Sequence, residues 1–270
     1  MAFSVLNNVA ASNAQANLTT TGMGLNKALN RLSSGLRINN SGDDAAGLAV
    51  ANAYRSNVAV LNQGIRNAGD GLSTLQIKDG ALNNISNLID RLSTLATQSA
   101  SSSSTVGRAA LDSEFQNVLL EITREATVAQ LDSTSVAAAP KFSVFVSNDG
   151  TSGTIGGDVG AADATGLGID ALSVLLPGDA ADAVAALKDA VVALGGVQAQ
   201  VGTIENQLSY AINLGQSQVV NYTAAESRIR DANIAEEASN MSKFSILNQA
   251  GIAALAQANS TNSSVLGLLR

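Results

Sequence analysis

Two adjacent carboxylates, Asp43 and Asp44, stand among Gly35, Gly42 and Gly47 in the stretch RLSSGLRINNSGDDAAGLAVA (31–51). Residues of these types could grip a metal ion or cradle a phosphate. Neither pattern closes. The phosphate-loop spacings G-x-x-x-x-G-K-[ST] and G-x-G-x-x-G are absent, and no apolar strand leads into the glycines. Neighbouring carboxylates on a helix diverge by about 100°, so this pair would need further ligands from elsewhere. The spacing fits a helix start better. Ser41 is placed as N-cap with Asp44 three residues on, a variant of the capping box, and both carboxylates lie at the positive end of the helix. Gly35, Ser41, Gly42, Asp43 and Asp44 are therefore expected to form a joint between two helices.

The rest of the chain narrows the chemistry further. It has no Cys and no His, which excludes disulfides, thiolate chemistry, the common zinc sites and His-based acid–base catalysis. The expectation is a non-enzyme with no cofactor and no metal. A net charge of −7 argues against a nucleic-acid partner. The start MAFSVLNNVAASNAQANL has neither a basic n-region nor an apolar h-region, so no cleaved signal peptide is expected. No run of 18 apolar residues occurs, and membrane insertion is not expected. The serine run at 99–105 reads as a solvated connection between helices, and Asp90, Arg91, Glu121 and Arg124 as charges on wet helix faces.

Helices must carry nearly everything else. Apolar residues make up 46% of the chain, yet aromatics only 3%, which suits slender helices packed side by side. Two prolines in 270 residues permit long uninterrupted helices. Leu18, Leu25, Leu29, Leu32 and Leu36 form one stripe, and helical spacing continues from 44 to 80. Leu82, Ile85, Ile89, Leu92 and Ala96 then give a 3-4-3-4 seam of coiled-coil type. A further amphipathic helix points Leu111, Phe115, Val118 (or Leu119) and Ile122 inward. After about residue 135 the pattern changes. Phe142, Val144 and Val146 alternate before a turn at Asn148-Asp149-Gly150, which predicts a small β-hairpin region at about 140–170 inside a short insertion at 136–180. Helical spacing returns after Asp179, an expected N-cap, with Val184, Leu187, Val191, Leu194, Val201, Ile204, Leu208, Ile212 and Val219 on one stripe. A last helix, about 233–259, carries Ile246, Leu247, Ala250, Ala254 and Leu255. The fold class is mainly α: long antiparallel helices from both termini around a small hairpin. No acidic residue precedes Asp43 or follows Glu237, and this likeness of the two ends suggests that they meet in space.

The two ends, taken together, resemble bacterial flagellin. LNRLSSGLRINNSGDDAAGLAVAN (29–52) and RNAGDGLSTLQIKDGALNNI (66–85) are similar to that family's N-terminal signature. SRIRDANIAEEASNMSKFSILNQAGIAALAQAN (227–259), finished by VLGLLR, is similar to its C-terminal one. The resemblance spans about residues 1–130 and 180–270, and it implies an inner core of terminal helices (1–40 with 235–270) and an outer helical domain (41–234). It implies self-assembly into the flagellar filament, with Leu25, Leu29, Leu32, Leu36, Leu247, Leu255, Leu266 and Leu269 in the inner core. A flagellar hook–filament junction protein is the alternative. The implied partners are further copies of the chain, the flagellar export apparatus, a flagellin chaperone, and the cap and hook-associated proteins, with an extracellular location in the filament. Arg91, Leu95 and Glu121 match the family's contact patch for an innate immune receptor, while Asp90, Ser93 and Thr94 depart from it. AQLDSTSV (129–136) replaces the family's usual Thr-x-Phe-Asn-Gly-type motif, and the short insertion leaves no room for large outer domains. Burial of the large apolar residues in the N-terminal arm does not offset the entropy of ordering its backbone, so the terminal arms are expected to be poorly ordered in the free subunit and to fold on assembly.

Overall fold

A computed structural model describes residues 7–101, 107–138, 142–147 and 153–268, with side chains left aside at 137–138 and 262–268. The elements in chain order are α1 (Val9–Ser34), α2 (Ala45–Ala100), α3 (Arg108–Val128), α4 (Ser133–Ala138), β1 (Phe142–Phe145), β2 (Thr154–Gly157), α5 (Pro177–Arg230) and α6 (Ile234–Leu268). The mainly α expectation holds, with a small two-stranded antiparallel sheet as the only one among the described residues. The chain divides into two compact units, 1–56 with 221–270 and 57–220.

In the first unit α1 and α6 run antiparallel. On α1 the face turned from solvent is Ala11, Ala14, Leu18, Thr21, Leu25, Ala28 and Leu32, a strict 3-4 alternation. On α6 the same alternation picks out Glu237, Met241, Phe244, Asn248, Gly251, Leu255 and Ala258. Small residues set the approach: a Cβ added at Gly24 would lie 2.7 Å from the Phe244 ring, and one at Gly251 would lie 3.1 Å from Leu18 Cδ1. Leu29 is 44% exposed, because it lies off the seam although it belongs to the leucine stripe read from the sequence.

In the second unit three helices converge on one core. The inward face of α2 recurs at 61, 64, 68, 71, 75, 78, 82, 85, 89, 92, 96 and 99 without a break, extending the seam read at 82–96 in both directions. Along α3 Phe115, Leu119, Ile122 and Ala126 are buried, which settles the inward position in favour of Leu119. Along α5 the inward face is Ala180, Ala183, Leu187, Ala190, Leu194, Val197, Val201, Ile204 and Leu208. Val184 and Val191, expected on that stripe, are 37% and 46% exposed, and alanines hold the inward positions instead. The start of α5 is also corrected. Pro177 opens the helix, where its missing N–H costs nothing, and Asp179 lies within the first turn rather than at the cap.

The hairpin pairs Phe142 with Gly157 and Phe145 with Thr154, and its alternation buries Val144 while leaving Phe145 outside. The predicted turn at 148–150 lies outside the described residues. Two glycines of the α2 seam receive the strand. A Cβ at Gly64 would fall 1.9 Å from the Val146 carbonyl oxygen, and one at Gly71 would fall 2.7 Å from Val144 Cγ2.

The divergent stretch 129–136 has a definite path. Gln130 takes a left-handed φ of 56° just beyond α3. The N–H groups of Gln130 and Leu131 donate to the carbonyls of Thr127 and Ala126, which is a Schellman closure with glutamine where glycine is usual. Lys78, a buried seam residue, reaches across and donates from Nζ to the carbonyls of Ala129 (3.0 Å) and Gln130 (2.8 Å). Its ammonium satisfies the helix end that the turn leaves open, and desolvation lowers its pKa while Asp132 opposes that shift. Asp132 then starts α4 by accepting from the Ser135 N–H.

Candidate functional site

The expected joint is made of two chain segments, and the sequence reading identified one of them. After α1, Gly35 turns the chain with a φ of 71°, its N–H donating to the Arg31 carbonyl. The next residues pair with the link between α5 and α6. The Arg37 N–H donates to the Arg230 carbonyl at 2.6 Å, the Ala232 N–H donates to the Gly35 carbonyl at 2.9 Å, and Leu36 bridges Asp231 in antiparallel fashion. Arg37 adds a side-chain bond from Nη2 to the Ile229 carbonyl. Residues 230–233 thus form the second half of the joint. Their signal in the sequence is Asn233 before IAEE, an N-cap with acidic residues in the first turn, and the Asn233 side chain does accept from the Ala235 N–H.

Within the first half the two aspartates do different work. Asp44, not Ser41, caps α2: its Oδ1 accepts from the Gly47 N–H at 2.8 Å, while Ser41 and Gly42 lie in the exposed turn before it. The helix begins at Ala45, three residues later than a Ser41 cap requires. Asp43 turns back to α1. Its Oδ1 meets Lys27 Nζ at 2.7 Å and its Oδ2 accepts from the N–H groups of Asn39 and Asn40. The Lys27 hydrogen bond, with help from those N–H groups and against partial burial, holds the Asp43 carboxyl below the ordinary carboxylate range. Ile38, a lone apolar residue among RINNSG, is fully buried beside Gly47 and plugs the joint. A single isoleucine has no period, which is why the pattern did not expose it.

One ion pair ties the arms to each other. Arg31 Nη1 meets Glu237 Oε1 at 3.0 Å, and Glu237 is only 7% exposed. These are the last cation of α1 and the last acid of the chain, so the carboxylate-free arms begin where this pair closes them.

The arms also leave apolar side chains outside their shared seam. Met23, Leu29, Ile246, Leu247 and Ile252 are all exposed, Ile246 to 66%. An open groove of about 440 Å³ beside them is lined by Leu18, Leu247, Ala250, Gly251 and Ala254. Leu25, Leu32, Leu36 and Leu255 are half-buried along the intrachain seam or the joint. Leu266 falls in α6 with its side chain outside the description, and Leu269 lies outside the described residues.

The matched patch in the second unit separates into surface and core. Arg91 is half-exposed and pairs with Glu114, and Glu121 is half-exposed and pairs with Arg124. Leu95 is fully buried in the core beside the α2 seam, so it offers no surface contact in this fold. Among the described residues no group of three or more acidic side chains could hold a metal, and no helix is long and apolar enough to cross a membrane.

Comparison with known proteins identifies the family. Residues 5–135 match the family described as the bacterial flagellin N-terminal helical region, and residues 184–269 match the bacterial flagellin C-terminal helical region. A flagellin of Halalkalibacterium halodurans is 35% identical, covering 97% of this chain and 98% of its own. A flagellin of Xenorhabdus nematophila is 36% identical with 99% of each chain covered, and the flagellar filament 33 kDa core protein of Treponema phagedenis is 34% identical over 97% of this chain and 98% of its own. The crystal structure of Bacillus cereus flagellin aligns at 27% identity and a TM-score of 0.47, covering 60% of this chain and 94% of that one. The chain, matched at both ends and along nearly its whole length, belongs to the bacterial flagellin family.

Proposed function

We propose that this protein is the structural subunit of a bacterial flagellar filament, with α1 and α6 as the inner layer and the unit around α2, α3 and α5 as the outer one. One observation carries the reading. The two-helix arm buries one heptad seam and leaves apolar side chains outside it, Ile246, Leu247 and Ile252 among them, exposed among the described residues. In a homopolymer further copies cover them. Leu25, Leu29, Leu32, Leu36, Leu247, Leu255, Leu266 and Leu269 are the assembly residues in this proposal, and Gly35, Ser41, Gly42, Asp43 and Asp44, joined by Arg230–Asn233, are the joint between layers. The role is structural rather than catalytic. The relatives named above are flagellins and a filament core protein, which favours a filament subunit over a hook–filament junction protein.

A two-helix arm of this kind is marginal in isolation and gains order as its outer face is covered. Trypsin should therefore cut the soluble subunit at Lys27, Arg31, Arg37 and Lys243 much faster than the polymer grown on short filament seeds. Equal rates in both forms, or failure of purified subunits to extend seeds under the electron microscope, would refute the assignment.

The remaining partners belong to the same reading: the export apparatus and a chaperone before assembly, the cap and hook-associated proteins at the filament ends, and an extracellular position in the filament. For the innate receptor the surface pair is Arg91 and Glu121. Arg91→Ala should abolish reporter-cell signalling by the soluble subunit, and equal signalling by both proteins would remove that contact.

A further inference from the structure

The chain holds three tyrosines, Tyr54, Tyr210 and Tyr222, and no Trp, Cys or His. Two of the three are stacked on each other. The Tyr54 ring on α2 and the Tyr222 ring on α5 have centroids 5.5 Å apart and planes inclined by 24°. Both rings are half-buried, so a small oxidant or an electron acceptor reaches them, whereas Tyr210 is 73% exposed. Both stacked residues lie in the unit of the terminal arms, close to where the chain passes into the other unit.

We propose that Tyr54 and Tyr222 form an oxidative coupling site, at which a one-electron oxidant joins α2 to α5 through a carbon–carbon bond. Each phenol loses one electron and one proton to give a phenoxyl radical. The two radicals combine at ring carbons ortho to the oxygens, and each ring regains its aromaticity as the ortho hydrogen moves to its phenolic oxygen. With hydrogen peroxide as the terminal oxidant and a haem peroxidase as the one-electron agent, two tyrosines and one peroxide give one dityrosine and two waters. Stacking supplies what free tyrosines lack. Radical recombination needs two rings in contact, and helix packing holds these two together before either is oxidised. The composition directs the reaction as well. With no thiol, indole or imidazole in the chain, the side chains left to compete are the methionines, which take oxygen rather than couple, and Tyr210, which has no stacked partner among the described residues and couples only between molecules.

The bond would close a loop containing the whole of the unit 57–220. Such a link removes closure entropy from the unfolded chain and fastens the paired helices beside the joint. Its effect is a filament subunit that resists unfolding after exposure to oxidants, a property outside self-assembly itself.

The three-tyrosine composition makes the test selective. The full-length soluble protein is treated at low concentration with a haem peroxidase and hydrogen peroxide. The expected product is a monomer lighter by two hydrogens, with dityrosine fluorescence, a cross-linked peptide joining positions 54 and 222, and a raised melting temperature. Tyr210→Phe should leave this product intact. Tyr54→Phe and Tyr222→Phe, each keeping the ring and checked for unchanged helical circular dichroism, should abolish it while preserving intermolecular dimers through Tyr210. Those dimers report that oxidising equivalents arrived. Dimers without the internal bond in the wild-type protein would overturn the proposal, as would an internal cross-link that survives Tyr54→Phe.

Discussion

Replacing Gly64 by alanine should destabilise the unit 57–220, although the same change at Gly80 on the same helix should stabilise it. Glycine in a helix interior costs about 1 kcal/mol relative to alanine, so every Gly→Ala exchange on α2 begins with that gain. At Gly80 nothing lies within 4 Å of the new methyl, and the gain is kept. At Gly64 the methyl would lie 1.9 Å from the carbonyl oxygen of Val146 and 2.5 Å from its carbonyl carbon. A backbone group cannot rotate away as a side chain can, so β1 must lift. Lifting it exposes Val144 and part of Phe142, which pack at Gly71 two helical turns along. Full exposure of one such side chain costs about 1.5–3 kcal/mol, and with the partial loss at the second the strand forfeits roughly 3–4 kcal/mol. The helix gain offsets about 1 of this, leaving a net loss of about 2–3 kcal/mol. At roughly 2–4 °C per kcal/mol for a unit of this size, Gly64→Ala should melt several degrees below wild type and Gly80→Ala a few degrees above it. Thermal unfolding followed by helical circular dichroism reads both. If Gly64→Ala is as stable as Gly80→Ala, the claim that these seam glycines exist to seat the hairpin is wrong.

Other substitutions probe the remaining joints of the argument. Gln130→Gly should stabilise the second unit by about 0.5–1 kcal/mol, because the left-handed φ of 56° strains glutamine and suits glycine; an unchanged melting temperature would deny the strain. Glu237→Ala leaves the partly exposed Arg31 without its partner, a loss of about 1–2 kcal/mol, so the critical concentration for seeded polymerisation should rise on the order of 10-fold. Lys78→Met should destabilise α3 by removing both donors to the Ala129 and Gln130 carbonyls, about 1–3 kcal/mol; a neutral outcome would mean that water replaces the ammonium. Glu205 on α5 is pushed above the ordinary carboxylate range by burial and by the Asp79 charge. A raised folded-state pKa favours folding below the unfolded value and is lost as pH climbs through the folded one, so Glu205→Gln should raise the melting temperature at neutral pH but not under acid conditions.

Much of this architecture was legible because coiled-coil packing repeats. The seam at 82–96 is leucine and isoleucine, and its 3-4 spacing reads directly as a buried face. The same seam continues toward the N-terminus through Gly64, Ala68, Gly71 and Lys78, which carry no apolar signal. Those positions are filled from outside the helix, by a strand at the glycines and by a helix end at the lysine. Their partners come from 129–146, distant in the sequence, and no local period encodes them. The alanines of α5 escaped for a related reason. Ala180, Ala183 and Ala190 are buried because small residues let helices approach, whereas the larger Val184 and Val191 look more like core and point outward.

The joint shows the same limit from the other side. Local chemistry announced a helix break at 35–44, and the structure has Gly35 at a left-handed turn and Asp44 at the cap of α2. Which aspartate caps, and what the other one holds, depends on Lys27 and on a chain segment almost two hundred residues away. In the arms the limit becomes a property of the protein. α6 carries apolar residues around most of its circumference, and a helix of that kind lacks a single preferred inside. Its intrachain face is defined by Phe244, Gly251 and Leu255 meeting α1, while Ile246, Leu247 and Ile252 remain outside with equal claim to burial. A helix apolar on several sides is satisfied only when more than one neighbour packs on it, and in a homopolymer one sequence supplies every neighbour.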